Sequence, residues 1–96
     1  MKKQNTITMG TAISLWIEEM KLQGKLSETR LISAWDKVVG RYIASKTREI
    51  YIKNHKLVVR LDSSVVRNEL ANAKPLLVAR LNAEGGGDII DDILLW

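Results

Sequence analysis

The sequence predicts an α+β domain in the order α-α-β-β-α-β, a sandwich of helices on one face of a three-stranded sheet. Three observations carry this. Apolar residues recur at helical spacing in three segments. They alternate with period two in a pair of short runs joined by Asn54-His55-Lys56. A glycine triplet, Gly85-Gly86-Gly87, then turns the chain into a final apolar run ending at Leu95. Residues 1–96 read as a single domain with 1–7 as a flexible lead. A chain of this length buries only about 60–65% of its unfolded surface, so one small core is expected.

The first helix is predicted over 8–22, where Met9, Ile13, Trp16 and Met20 form a stripe with Ile17 beside it. Thr6 or Thr8 offers a cap, and Gln23-Gly24 a stop. Trp16 with two methionines resembles a partner-binding stripe, but the reading favoured by the usual role of apolar helix faces is core packing. Ser27 caps a second helix over 28–45. Leu31, Trp35, Val38 and Tyr42 make one stripe; Ile32, Val39 and Ile43 make another, so this helix is expected to be packed on two sides. Gly40 inside it costs about 1 kcal/mol relative to alanine. That cost predicts a close backbone approach at Gly40. Trp35 reads as core, not as a platform for a base.

Residues 49–53 and 57–62 form the hairpin. Its period places Ile50, Ile52, Leu57, Val59 and Leu61 on the core face, and Tyr51, Lys53 and Arg60 on the outer one. Ser63 or Ser64 caps a third helix over 65–83, with Val66, Leu70, Ala73, Leu77 and Leu81 as its stripe. Pro75 predicts a kink or break near Lys74. The last strand, 88–95, contains Asp91-Asp92, which suits a sheet edge.

Charge is uneven. Residues 1–83 hold all 15 basic residues and seven of the 11 acids, a net +8, while 84–96 carry four acids and no base. A basic body suits an anionic partner, most often nucleic acid, although charge spread for solubility gives the same count. There is no cysteine, which excludes disulfides and thiolate zinc sites and fits a reducing cytoplasm. Lys2-Lys3 is not followed by an apolar segment, so neither a signal peptide nor a membrane span is expected.

Catalysis finds little support. His55 is the only histidine and falls in a polar turn. Neighbouring acids such as Asp91-Asp92 point to opposite faces of a strand and do not converge on a metal or a proton. The glycine triplet is followed by acids and a strand, not by Lys-Ser/Thr and a helix, so it is not a phosphate loop. No catalytic residue, metal or cofactor is expected. Binding fits better. Tyr51, Lys53 and Arg60 share the outer sheet face, flanked by Lys46, Arg48 and Lys56. Lys37 and Arg41 extend the patch, and Arg67 lies near a helix N-terminus, where the dipole favours an anion. Such a surface holds phosphates by charge and stacks a base on Tyr51.

An ordered set of residues goes further. It runs Leu31, Trp35, Val38, Val39, Gly40, Ile43 and Ala44; then Thr47 before the hairpin; then Leu57, Val59 and Ser63; then Glu69-Leu70; then Leu81-Asn82 before the glycine turn. This set, from about Thr11 to Leu95, resembles the DciA family of bacterial replicative-helicase loaders. The resemblance implies a K-homology-like layout and contact with single-stranded DNA. It also implies a partnership with the helicase DnaB in replication initiation, without ATP hydrolysis by this chain. No Gly-x-x-Gly loop lies between the helices, so the backbone clamp of true K-homology domains is not expected. Three readings remain open: a DNA-binding helicase accessory, an RNA-binding module with the same layout, and a protein–protein adaptor presenting an apolar patch around Trp16, Met20 and Leu22.

Overall fold

The computed structural model describes residues 9–96. The expected lead over 1–7 and the caps at Thr6 and Thr8 lie outside them. Eight elements replace the expected six: α1 (Met9–Ser33), α2 (Trp35–Val39), α3 (Arg41–Ser45), β1 (Thr47–Lys53), β2 (Lys56–Leu61), α4 (Ser64–Ala71), α5 (Lys74–Gly85) and β3 (Asp92–Leu95). The α+β class and the element types hold. The helix boundaries do not, and the last strand, predicted over 88–95, begins only at Asp92 because Asn82 holds residues 89–90 in a turn.

Gln23-Gly24 does not stop the first helix, and Ser27 caps nothing. Both sites lie inside the 25-residue α1. A lone glycine costs about 1 kcal/mol, and the good helix formers Leu22, Lys25, Leu26 and Glu28 around it offset that. The chain breaks instead at Ala34, whose N–H donates to the carbonyls of Arg30 and Leu31 at 3.1 Å each. It breaks again at Gly40, where φ is 94°. A Cβ on Gly40 would meet nothing within 4 Å. The glycine therefore serves its positive φ, not the close approach that was expected.

The hairpin turn is shorter than predicted. Asn54 (φ 53°) and His55 (φ 62°) alone make it, and Lys56 already belongs to β2. Ser63 caps α4, its Oγ accepting from the Val66 N–H at 3.2 Å. The predicted break near Pro75 is present. Asn72 and Ala73 separate α4 from α5, and the proline occupies the first turn of α5, where its missing N–H costs nothing.

The sheet order is β1-β2-β3. β1 and β2 are antiparallel, with Tyr51 opposite Val58; β2 and β3 are parallel, with Val58 opposite Leu94. β3 is an edge, as its acids suggested. Helices cover one sheet face, and Leu31, Trp35, Leu57, Val59, Leu81 and Ile93 form the centre of one core. Trp35 is 2% exposed, and its indole N–H donates to Thr47 Oγ at 2.9 Å; that hydroxyl donates to the Ile43 carbonyl at 3.0 Å. Tyr42, expected on the same stripe, is exposed, because the break at Gly40 re-aims the chain after it.

Two contacts set the path into β3. A Cβ on Gly85 would strike Ile89 and crowd Leu31 and the Ser27 carbonyl, so α1 and α5 meet closely only because this residue is glycine. Asn82 then holds the turn: its Oδ1 accepts from the N–H of Ile89 (3.1 Å) and Ile90 (3.0 Å), and its Nδ2 donates to the Ile90 carbonyl (2.8 Å).

The largest departure concerns the first stripe. Met9, Ile13, Trp16, Ile17 and Met20 are not core; all are exposed, Trp16 at 63%. α1 last meets the body where Gly24 and Ser27 face His55, Asp88 and Ile89. Beyond that level none of the described residues covers the helix, and the molecule measures 63 Å along its long axis against 20 Å across.

Candidate nucleic-acid interface

The face of the sheet away from the helices is open. Pleating sends Tyr51, Val58 and Leu94 onto it as one row across the three strands. The ladder runs past the end of β3: the Trp96 N–H donates to the Val59 carbonyl at 3.0 Å, and the Trp96 carbonyl accepts from Leu61 at 2.7 Å. Trp96 thereby joins the open face beside Arg60, whose guanidinium carbon sits 4.8 Å from the indole centroid. Val58 is buried at 8%, while Tyr51 (39%), Leu94 (44%) and Trp96 (50%) remain open. Tyr51, Val58, Leu94 and Trp96, with Lys53 and Lys56, line one shallow groove.

Aliphatic side chains form the floor of this groove, an aromatic ring stands on each side, and cations form its rim. Aromatic rings in general offer flat faces on which bases stack, and lysine and arginine hold phosphates by charge. Trp96, Val58 and Leu94 were missed by the sequence reading. The signal was present: Leu94 and Trp96 are two apart, the period that puts both on one face.

The nine residues singled out from sequence are only partly brought together. Tyr51, Lys53, Lys56 and Arg60 share the open face. Lys56 Nζ binds Asp91 Oδ1 at 2.8 Å, a contact that raises the lysine pKa and lowers that of the carboxyl. Arg48, at the bulge that opens β1, is held by Asp62 at 2.6 Å, and the guanidinium holds that carboxyl below its ordinary range. Lys46 lies 5.6 Å from the Tyr42 ring centroid. Arg41 is exposed on α3. Lys37 pairs with Glu84 of α5 at 3.1 Å, in the helical layer on the far side of the sheet. Arg67 is half-buried on α4, its Nε enclosed without a partner. Lys37 and Arg67 therefore do not extend the sheet surface. Lys53 forms no ion pair among the described residues.

His55 is exposed in its turn, with Nδ1 3.4 Å from the Ile89 carbonyl, while its own carbonyl accepts from Asp91 N–H at 2.8 Å. Its backbone thus helps dock β3. Among the described residues no helix is long and apolar enough to cross a membrane.

Neither a curated protein nor a solved structure matches the chain. A family model does, over residues 8–95. The matched span holds the Trp35–Thr47 bond, the Ser63 cap and the Asn82 clamp, so the residues that carried the resemblance are those that fix the fold. With nearly its whole length inside that match, the chain belongs to the DciA family, the Dna[CI] antecedent.

Proposed function

We propose that this protein is a non-enzymatic accessory of the replicative helicase, acting in DNA replication, that holds single-stranded nucleic acid on the open face of its sheet. Membership of the DciA family supports a helicase-loader-like role toward DnaB. The observation that carries the nucleic-acid part is the groove itself: Tyr51 and Trp96 flank the Val58–Leu94 floor, with Lys53 and Arg60 at its rim. Duplex DNA presents no base faces to such a surface, whereas a single strand does. Lys46 and Arg41, near the start of β1, supply further charge beside the groove, while Arg48 there is paired with Asp62.

The test is a titration with matched DNA and RNA oligonucleotides, read by fluorescence anisotropy over a range of salt. Lys53→Glu with Arg60→Glu is expected to weaken binding and flatten the dependence of log K on log salt by about two phosphate contacts. Unchanged affinity and slope would remove the sheet from the interface. Equal affinity for both oligonucleotides would favour a general single-strand role, and a clear preference for RNA would favour the RNA-binding reading. The adaptor reading gains support from one observation, the exposed stripe of α1. It is compatible with a nucleic-acid role, since the two surfaces lie on different elements.

A further inference from the structure

The projecting part of α1 presents an apolar stripe that the other described residues leave uncovered. Met9 is 78% exposed, Trp16 63%, Met20 53%, Ile13 48% and Ile17 42%. At helical spacing the five fall within about 100° of the circumference, on the face that buries Leu31 and Ala34 further along. They expose on the order of 600 Å² of apolar surface. That is at the upper end of what a monomer leaves open, and close to the roughly 800 Å² per partner of a stable interface.

Charge and spacing say what covers it. Residues 9–26 carry Glu18, Glu19, Lys21 and Lys25 and are neutral. None of the four lies on the stripe. A strongly charged partner finds no complement there, and an identical helix meets no repulsion. The spacing is more specific. Met9, Ile13, Trp16, Ile17, Met20 and Gly24 are separated by four, three, one, three and four residues. This series reads the same from either end. Two copies of such a helix match when laid antiparallel about a two-fold axis between Trp16 and Ile17. Met9 then meets the partner's Gly24, Ile13 meets the partner's Met20, and Trp16 meets the partner's Ile17.

Gly24 acquires a purpose in this arrangement. Among the described residues, its own helix backbone aside, nothing lies within 4 Å of where its Cβ would be. Glycine is the poorest residue after proline for a helix interior, and the shallow gap that Gly24 shares with His55, Asp88 and Ile89 leaves room for a side chain there. Opposite Met9 it is a hole facing a long, flexible knob. We propose that α1 is a dimerisation element, pairing two copies of this chain antiparallel through this stripe, with the two sheets at opposite ends. The inference does not depend on the nucleic-acid reading.

Sedimentation of the full chain tests it. The expected species has twice the 10.8 kDa chain mass. Trp16→Glu and Met20→Lys are expected to give the monomer with the circular dichroism of the body retained. A wild-type monomer at roughly 100 µM, or a dimer indifferent to both changes, would overturn the proposal. Because the chain has no cysteine, introduced thiols report the register. Met9→Cys combined with Gly24→Cys should cross-link two copies on mild oxidation. Those positions lie about 22 Å apart within one helix, far beyond disulfide reach. Neither single change should cross-link efficiently, and equal cross-linking by either one alone would sink the antiparallel pairing.

Discussion

The two halves of α1 carry the same stripe and meet different fates. Leu31 is 0% exposed against α5 and the sheet, whereas Trp16, on the same helical face, is 63% exposed. Periodicity identifies the face of a helix that seeks burial. It does not say whether the burying surface belongs to the same chain. The inner half finds α5 at Gly85, where the missing Cβ lets the two helices close; the outer half extends past the last of the described residues that faces it.

That contrast is broken most sharply by paired truncations. Leu31→Ala removes a fully buried side chain and is expected to cost about 3 kcal/mol in urea-induced unfolding. Trp16→Ala, measured at concentrations where the chain is monomeric, should stay within about 0.5 kcal/mol of wild type. Comparable losses at the two positions would mean that the outer half packs onto the body after all.

A smaller effect is expected at Asn82. Asn82→Ala leaves the Ile90 N–H without its acceptor and the Ile89 N–H with the Gly87 carbonyl alone, and should cost about 1–3 kcal/mol. It should also loosen β3 first, seen as faster amide exchange at Ile93 and Leu95 than in β1. Uniform loss of protection across the sheet would show that the clamp does not act on β3 in particular.

The smallest effect concerns the ion pairs at the rim. Asp62 and Asp91 have folded pKa values lowered by Arg48 and Lys56. A carboxyl shifted in that direction contributes stability above its unfolded pKa and loses it as the pH falls through the folded one. Both contributions should therefore fade below the ordinary carboxylate range, and salt should screen them, since the groups are solvent-exposed. Lys56→Ala is expected to return the Asp91 midpoint upward in a carbon-detected NMR titration. An unmoved midpoint would mean that the pair is not populated in solution.

Much of the fold was legible because its signals are local. Period-two alternation with Asn54 gave the hairpin, Ser63 and Pro75 marked the start of α4 and the break before α5, and two adjoining stripes placed Trp35 in the core. The joined α1 was not legible, because Gly24 and Ser27 are stop and start signals only when the surrounding propensity does not outweigh them. The site was half legible. Strand parity put Tyr51, Lys53 and Arg60 on one face, yet the acids that neutralise Lys37, Arg48 and Lys56 arrive from 47, 14 and 35 residues away. No local pattern announces such pairings. Trp96 falls one residue past the strand predicted over 88–95, and only its backbone bonds to Val59 and Leu61 carry the ladder that far.

The groove is tested most directly by the fluorescence of Trp96. A Trp16→Phe chain retains Trp96 at 50% exposure and Trp35 at 2%, so contact quenching by an added strand reports on Trp96. Titration with oligodeoxythymidylate at low salt is expected to quench the emission in step with binding. Addition of Trp96→Phe should abolish the signal, and Tyr51→Ala should weaken affinity by about ten-fold or more, the loss of one stacked base. Binding that leaves Trp96 unquenched, or no binding at all, would contradict the assignment of the open sheet face to nucleic acid.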